Sequence, residues 1–196
     1  MDCLDTNWAK LLISLDILPV PLSLAQPSSA DVIWKMLELD GLILSGGNTL
    51  VEYADATDAP ESLSPERDTF EKALLKAALS TGKPVLGVCR GMQIINTYYN
   101  GQLTKVKGHA GTRHRLVAED SSIAFQLPSE VNSFHDCAVP RKKLGKELIP
   151  LAHDAEDNIE AFYHPKDKVL GIMWHPEREN PPLSYDCELI KRHFGL

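Results

Sequence analysis

The chain has 196 residues, 43% of them hydrophobic and 24% charged, with a formal net charge of −7. That length supports one domain spanning 1–196 with a sizeable core, and the acidic balance argues against general binding to nucleic acid or to anionic membranes. No apolar stretch approaches the ~20 residues of a membrane span, and the N-terminus "MDCLDTNWAKLL" lacks a basic region followed by an apolar core, so neither a membrane anchor nor a secretory signal is expected.

Segments of helix type and strand type alternate from the start. "WAKLLISL" reads as a helix and "ILPVPL" as a short strand; "SSADVIWKMLELD" is a serine-capped second helix, followed by the strand "GLILSGG". Residues 48–63 are polar and irregular. Ser64 is then the expected N-cap of a helix, with Pro65 at its first position and Glu66 at the positive end of the dipole. Phe70, Ala73, Leu74, Ala77 and Ala78 keep helical spacing until Gly82 and Pro84 stop it. "PVLGV" is a strand and "RGMQIINTYYNG" a helix. Shorter strands follow in "QLTKV", "HRLVA", "CAVP" and "LIPLAH", then a hairpin, "NIEAFYHPKDKVLGIMWH", turning at 164–168, and a last helix, "LSYDCELIKRHF". The alternation predicts an α/β, three-layer fold: a mostly parallel central sheet covered on both faces, with the later strands added antiparallel.

Four cysteines, Cys3, Cys89, Cys137 and Cys187, lie far apart with no CxxC pair, which reads as free thiols in a reducing cytoplasm. Cys89 stands apart by its setting, G-x-C-x-G at 87–91, where a strand gives way to a helix. A nucleophile elbow has this form: glycines relieve backbone crowding, and helix N–H groups aimed at the sulfur lower a thiol pKa. The alternative is a buried cysteine at a tight junction. A base is offered by His175 in "GIMWHPE": Pro176 keeps the chain extended, so Glu177 falls on the same side as His175 and can fix its tautomer. His135–Asp136 is a rival pair, but adjacent strand residues face opposite ways, which leaves His135 to line a pocket. Paired glycines at Gly46–Gly47 suit an oxyanion hole, with donors at the Gly47 and Arg90 amides. His109 and His114 have no cysteine or carboxylate cluster beside them in sequence, and neither a metal nor a cofactor is expected.

"SGGN", "GVCRGMQ" and "WHPE", in this order, resemble the class I (triad) glutamine amidotransferase superfamily, and most closely its γ-glutamyl hydrolase branch; "ERDTFE", "PVLGVCRGMQIIN" and "VNSFH" match that branch as well. The resemblance implies a flavodoxin-like fold, a Cys-His-Glu triad of Cys89, His175 and Glu177, and an oxyanion hole at Gly47 and Arg90. It also places Gly46, Asn48, Gln93, Ser133 and His135 near the γ-glutamyl group. "DCLDTNWAKLL", "KGHAGTRHRL" and "VNSFHDCAV" are similar to γ-glutamyl-CDP-amidate hydrolases, which release glutamate and cytidine diphosphoramidate for capsule polysaccharide. The implied partner is thus a small-molecule γ-glutamyl substrate, cleaved through a γ-glutamyl thioester. The basic segment Lys105, Lys107, His109, Arg113, His114 and Arg115 is a candidate pyrophosphate contact, its bland alternative a solvated strand edge. Family members begin with a strand ahead of the first helix, and this sequence starts after it; a misassigned start and a shortened chain are both open, which leaves the sheet edge and any pocket residue of that turn undetermined but not the triad. Two other readings stay open: a glutaminase subunit feeding ammonia to a synthetase partner, and a binding module that has lost catalysis. The sequence leaves the leaving group undetermined, and equally the choice between monomer and homodimer.

Overall fold

A computed structural model describes residues 4–119 and 125–196; Cys3 lies outside them. The helices are α1 (Thr6–Ser14), α2 (Ala30–Met36), α3 (Pro65–Ser80), α4 (Arg90–Tyr98) and α5 (Ser184–Phe194). Between them run β1 (Leu42–Leu44), β2 (Val85–Val88), β3 (Thr104–Lys105), β4 (Ala110–Arg115), β5 (Val117–Ala118), β6 (Glu130–Phe134), β7 (Cys137–Ala138), β8 (Ile149–His153), β9 (Ile159–His164) and β10 (Val169–Ile172).

Six strands form the central sheet in the order β1-β2-β10-β9-β8-β5. β1, β2 and β10 are parallel, and β9, β8 and β5 extend the sheet antiparallel, as the sequence pattern predicts. The parallel strands are apolar on both sides because both faces are covered. Val85 and Val169 point into a core shared with Trp34 of α2, Phe70 and Leu74 of α3, and Ile94 and Ile95 of α4. Their neighbours Leu86, Val88, Leu170 and Ile172 point the other way, against Trp8, Leu11 and Leu12 of α1 and Leu189 and Ile190 of α5. Three layers result, with the α/β architecture expected. None of the described helices is long and apolar enough to cross a membrane.

Local chemistry explains the agreements and the departures. Ser64 caps α3 as expected, its Oγ accepting from the Arg67 amide at 3.3 Å. The serine cap expected for α2 is not made: Ser29 donates its hydroxyl to the Gln26 carbonyl, and a short 3-10 turn over Pro27–Ser29 leads into the helix. "ILPVPL" is not a strand. Pro19 and Pro21 have no N–H to give a ladder, and Leu18 stands 85% exposed. Not all later strands join the main sheet, since β3–β7 and β4–β6 are separate two-stranded ribbons. The β6 strand, which overlaps "VNSFH" and is not among the strands that the residue pattern predicts, pairs with β4 from Glu130 to Phe134.

Candidate active site

Cys89 sits where β2 ends and α4 begins, with φ 51° and ψ −106°. A non-glycine residue in that region costs of order 1–3 kcal/mol, and the surroundings hold it there. The Cys89 amide donates to the Ile172 carbonyl at 2.8 Å, tying the turn to β10. A Cβ on Gly91 would strike the Leu44 carbonyl, and one on Gly87 would lie 2.7 Å from the Gly91 backbone. Only glycine lets β1, the elbow and α4 approach this closely.

The other two sequence motifs converge on that turn. A Cβ on Gly46 would lie 2.5 Å from Cε1 of His175, so the bare glycine backbone packs on the imidazole. Gly47, exposed, borders the Arg90 side chain: a Cβ there would be 3.0 Å from Arg90 Cδ. His175 and Glu177 are both buried, with His175 Nδ1 and Glu177 Oε1 at 2.7 Å. That bond leaves His175 Nε2 buried and without a hydrogen-bond partner. Asn132 on β6 grips the His175 backbone from both sides, its Oδ1 accepting from the amide at 2.9 Å and its Nδ2 donating to the carbonyl at 2.9 Å. Arg113 supports the same corner through Glu179, which also accepts from Asn132.

A buried ion network fixes the Gly46–Gly47 turn. Arg90 pairs with Asp68 and Glu71 of α3, and Arg67 donates to Glu71 at 2.7 Å and to the Gly46 carbonyl at 3.0 Å. This explains "ERDTFE": at helical spacing, Arg67, Asp68 and Glu71 share one face of the first turns of α3 and clamp the glycine turn to the start of α4.

The electrostatics of Cys89 differ from the sequence expectation of a lowered thiol pKa. Burial pushes the thiol up to about 12. The Arg90 backbone N–H and the Arg178 charge pull it down, and Glu177 and Glu160 push it further up. Desolvation of a thiolate outweighs the helix terminus, so the resting group is a neutral thiol that needs a base to ionise.

The remaining expected residues lie elsewhere. Gln93, one turn beyond Cys89, donates its side-chain amide to the Cys137 carbonyl at 2.9 Å. Ser133 is fully buried and donates to the His109 carbonyl. Asn48 is exposed beside Gly47. His135 does not line an open pocket: it is 4% exposed, with Nδ1 3.1 Å from the Cys137 carbonyl and Nε2 3.6 Å from Glu160. Its sequence neighbour Asp136 pairs with Lys105 at 2.9 Å.

The basic segment is an open cationic face only at Lys107 and Arg115, which are exposed. Lys105 is held by Asp58 and Asp136, Arg113 by Glu130 and Glu179, and His109 and His114 turn inward with His135 toward Glu160. The carboxylate that the sequence did not set beside His109 and His114 comes from β9.

The sequence and the fold are similar to those of known proteins. The peptidase C26 family profile matches residues 1–177. The chain belongs to the peptidase C26 family. Within the wider class I glutamine amidotransferase-like group, it is 35% identical to the γ-glutamyl-CDP-amidate hydrolase of Campylobacter jejuni, over all of this chain and 89% of that protein. It is 27% identical to the γ-glutamyl-γ-aminobutyrate hydrolase of Escherichia coli O157:H7, over 89% of this chain and 78% of that one. In fold it matches the crystal structure of a GMP synthase subunit from Thermoplasma acidophilum, with a TM-score of 0.69 at 24% identity, over 96% of this chain and 85% of that one.

Two contributors to this C26 site escaped sequence reasoning. Asn132 and Arg178 carry no catalytic signature: one bonds the backbone of His175 and the Glu179 carboxylate, and the other stacks 4.4 Å over the Phe134 ring while its charge acts on Cys89. The "VNSFH" segment was the only available signal for Asn132, and its match came without a role for that residue.

Proposed function

We propose that this protein hydrolyses a γ-glutamyl amide by Cys89-based covalent catalysis, with His175 as the base and Glu177 as its orienting partner. The observation that carries the reading is the junction at Gly46. One turn packs on the His175 ring on one side and reaches the residue after Cys89 on the other, while the only inward nitrogen left to His175, Nε2, has no partner. A neutral buried thiol, joined through the Gly46–Gly47 turn to an imidazole with a free nitrogen, suits a nucleophile activated by proton transfer.

In the proposed cycle the Cys89 proton passes to His175 Nε2 as sulfur adds to the γ-carbonyl carbon. The Gly47 and Arg90 amides hold the oxyanion. The intermediate collapses, the C–N bond breaks, and His175 returns the proton to the leaving nitrogen, leaving a γ-glutamyl thioester. Water then adds, giving a proton to His175. The C–S bond breaks, the thiol regains its proton, and glutamate departs. Glu177, bound at Nδ1, stabilises the imidazolium in both halves.

We take γ-glutamyl-CDP-amidate as the substrate, with cytidine diphosphoramidate as the leaving group, on the strength of the full-length similarity to the Campylobacter enzyme. The basic segment at 105–115 lends this choice little support, because Lys105 and Arg113 are already ion-paired. The Escherichia relative favours a second reading, a γ-glutamyl amine as substrate. The deciding assay is glutamate release by the purified chain, alone, from γ-glutamyl-CDP-amidate, from γ-glutamyl-γ-aminobutyrate and from glutamine, with Cys89→Ala as the blank. Efficient release from the nucleotide conjugate supports the first reading and release from the amine the second. Turnover only of glutamine, and only with an added synthetase, overturns both.

A further inference from the structure

Three imidazoles and one carboxylate meet in the interior without satisfying one another. His109 lies just ahead of β4, His114 on β4, His135 just past β6, and Glu160 on β9. Glu160 is 1% exposed, and neither of its oxygens has a hydrogen-bond partner; the same holds for His109 Nδ1, His114 Nε2 and His135 Nε2. One ligand atom from each residue falls within 4.8 Å of the others. His114 Nε2 is 3.1 Å and His135 Nε2 3.6 Å from Glu160, distances with ion-pair range but without hydrogen-bond geometry.

The orientation of His135 sharpens the problem. Its Nδ1 faces the Cys137 carbonyl at 3.1 Å, an acceptor, so Nδ1 carries the hydrogen and neutral His135 presents a lone pair at Nε2. That lone pair faces Glu160 Oε1, a second acceptor. His109 Nδ1, also without a hydrogen-bond partner, lies 3.9 Å from Asp154 Oδ2, and its Nε2 lies 3.9 Å from Glu156 Oε2. A lone pair that faces a buried carboxylate calls for a positive charge beside it, either a proton on a neighbouring imidazole or a metal ion.

We propose that His109, His114, His135 and Glu160 bind a divalent transition metal, with Zn2+ the best fit. Three imidazole nitrogens and one carboxylate oxygen are zinc donors, and a tetrahedral centre with bonds of about 2.1 Å sets them about 3.4 Å apart. His114 Nε2 lies 3.1 Å from Glu160 Oε2 and His135 Nε2 lies 3.6 Å from Oε1, so one carboxylate oxygen must turn to meet both rings, and a donor pair at the outer limit of 4.8 Å must close by about 1.4 Å. The Cys137 carbonyl on His135 is the outer contact that fixes a ligand tautomer. Because β4 and β6 form a ribbon separate from the main sheet, while β9 lies within it, the ion ties ribbon to sheet. The proposal does not depend on the hydrolase reading.

The test uses the full chain, stripped with chelator and titrated with Zn2+ or Co2+ alone. The expected result is one ion per chain, visible Co2+ bands of a four- or five-coordinate site without thiolate charge transfer, and a Zn2+-dependent rise in Tm. Glu160→Gln and, at the most solvent-accessible ligand, His114→Asn should each weaken Co2+ binding at least about a hundred-fold. Cys89→Ala should leave the Co2+ spectrum unchanged. Since His114→Asn keeps a polar group at a part-exposed position, it guards against a folding failure of Glu160→Gln; circular dichroism checks both. Less than stoichiometric uptake by wild type, equal binding by both variants, or a thiolate band lost in Cys89→Ala overturns the proposal.

Discussion

Two histidine–carboxylate associations stand close together along the chain ends of β9 and β10, and they are built differently. His175 and Glu177 make one good bond at 2.7 Å, which leaves a single ring nitrogen unpartnered. At the second, His114 and His135 approach Glu160 with poor geometry, and both carboxylate oxygens stay unpaired. The main chain brings them close: the Met173 amide donates to the Glu160 carbonyl at 2.8 Å, two residues before His175. The difference is instructive. One orphan nitrogen on an oriented ring is suited to moving a proton, whereas several inward lone pairs around a buried carboxylate call for a cation. The same residue types thus serve different chemistry, decided by which atoms remain unsatisfied.

The comparison breaks most decisively at Cys89. Removing a covalent nucleophile should lower kcat for γ-glutamyl amide hydrolysis by at least about 10^3-fold, while Zn2+ uptake at the other cluster stays as in wild type. Steady-state glutamate release together with metal content measures both. A variant that keeps more than a trace of activity rules out the assignment.

Glu177→Gln comes next. It removes the negative charge from the carboxylate that faces His175 Nδ1 but keeps its shape, so kcat should fall about 10^2–10^4-fold with little change in KM. Glu160→Gln, the equivalent change at the other association, should act mainly on metal affinity. If the two substitutions swapped effects, the division of labour drawn here would be wrong.

How far the sequence carries this picture depends on the range of the interactions. The parallel half was legible because its signals are local: alternating apolar strands, the Ser64 cap, and glycines two residues either side of Cys89. His175 and Glu177 could be paired because they are two residues apart in extended chain. The cluster at Glu160 is not legible, since its members come from β4 and the residue before it, the residue after β6, and β9, and are united only by the way the ribbon folds on the sheet. The thiol pKa was misjudged for a related reason. The helix terminus is visible in sequence, but the burial that outweighs it is a property of packing.

Another buried histidine, with no carboxylate partner among the described residues, extends the comparison. His193 on α5 is bonded only to the Val85 carbonyl, at 2.9 Å, and burial lowers its pKa to about 4 from the usual 6.5. Below pH 6.5 the unfolded chain takes up a proton that the folded chain refuses, so this group costs stability as pH falls toward 4. The loss should reach about 3 kcal/mol, with about 2 kcal/mol of it present by pH 5. Asp186 works in the opposite direction, its carboxyl raised to about 6 by burial, so the His193 contribution must be read as a difference. Urea unfolding of wild type and His193→Gln from pH 7 to pH 4.5 should show a shallower acid decline in the variant. Parallel declines would mean that His193 is protonated in the folded protein.

The smallest effect is expected where support for the Cys89–His175 corner is indirect. Ser64 touches no reacting group; it caps the helix turn from which Arg67, Asp68 and Glu71 hold the Gly46 carbonyl and Arg90. Loss of such a cap costs about 1 kcal/mol, so Ser64→Ala should lower stability by that amount in thermal or urea unfolding. Three ion pairs and the Gly46 contact still bind the same turn, so kcat should change less than about threefold, well inside the range that 1 kcal/mol would give if the whole loss fell on the transition state. A larger fall in kcat at full stability would mean that the glycine turn takes its position from the helix cap itself, and that the ion network follows it.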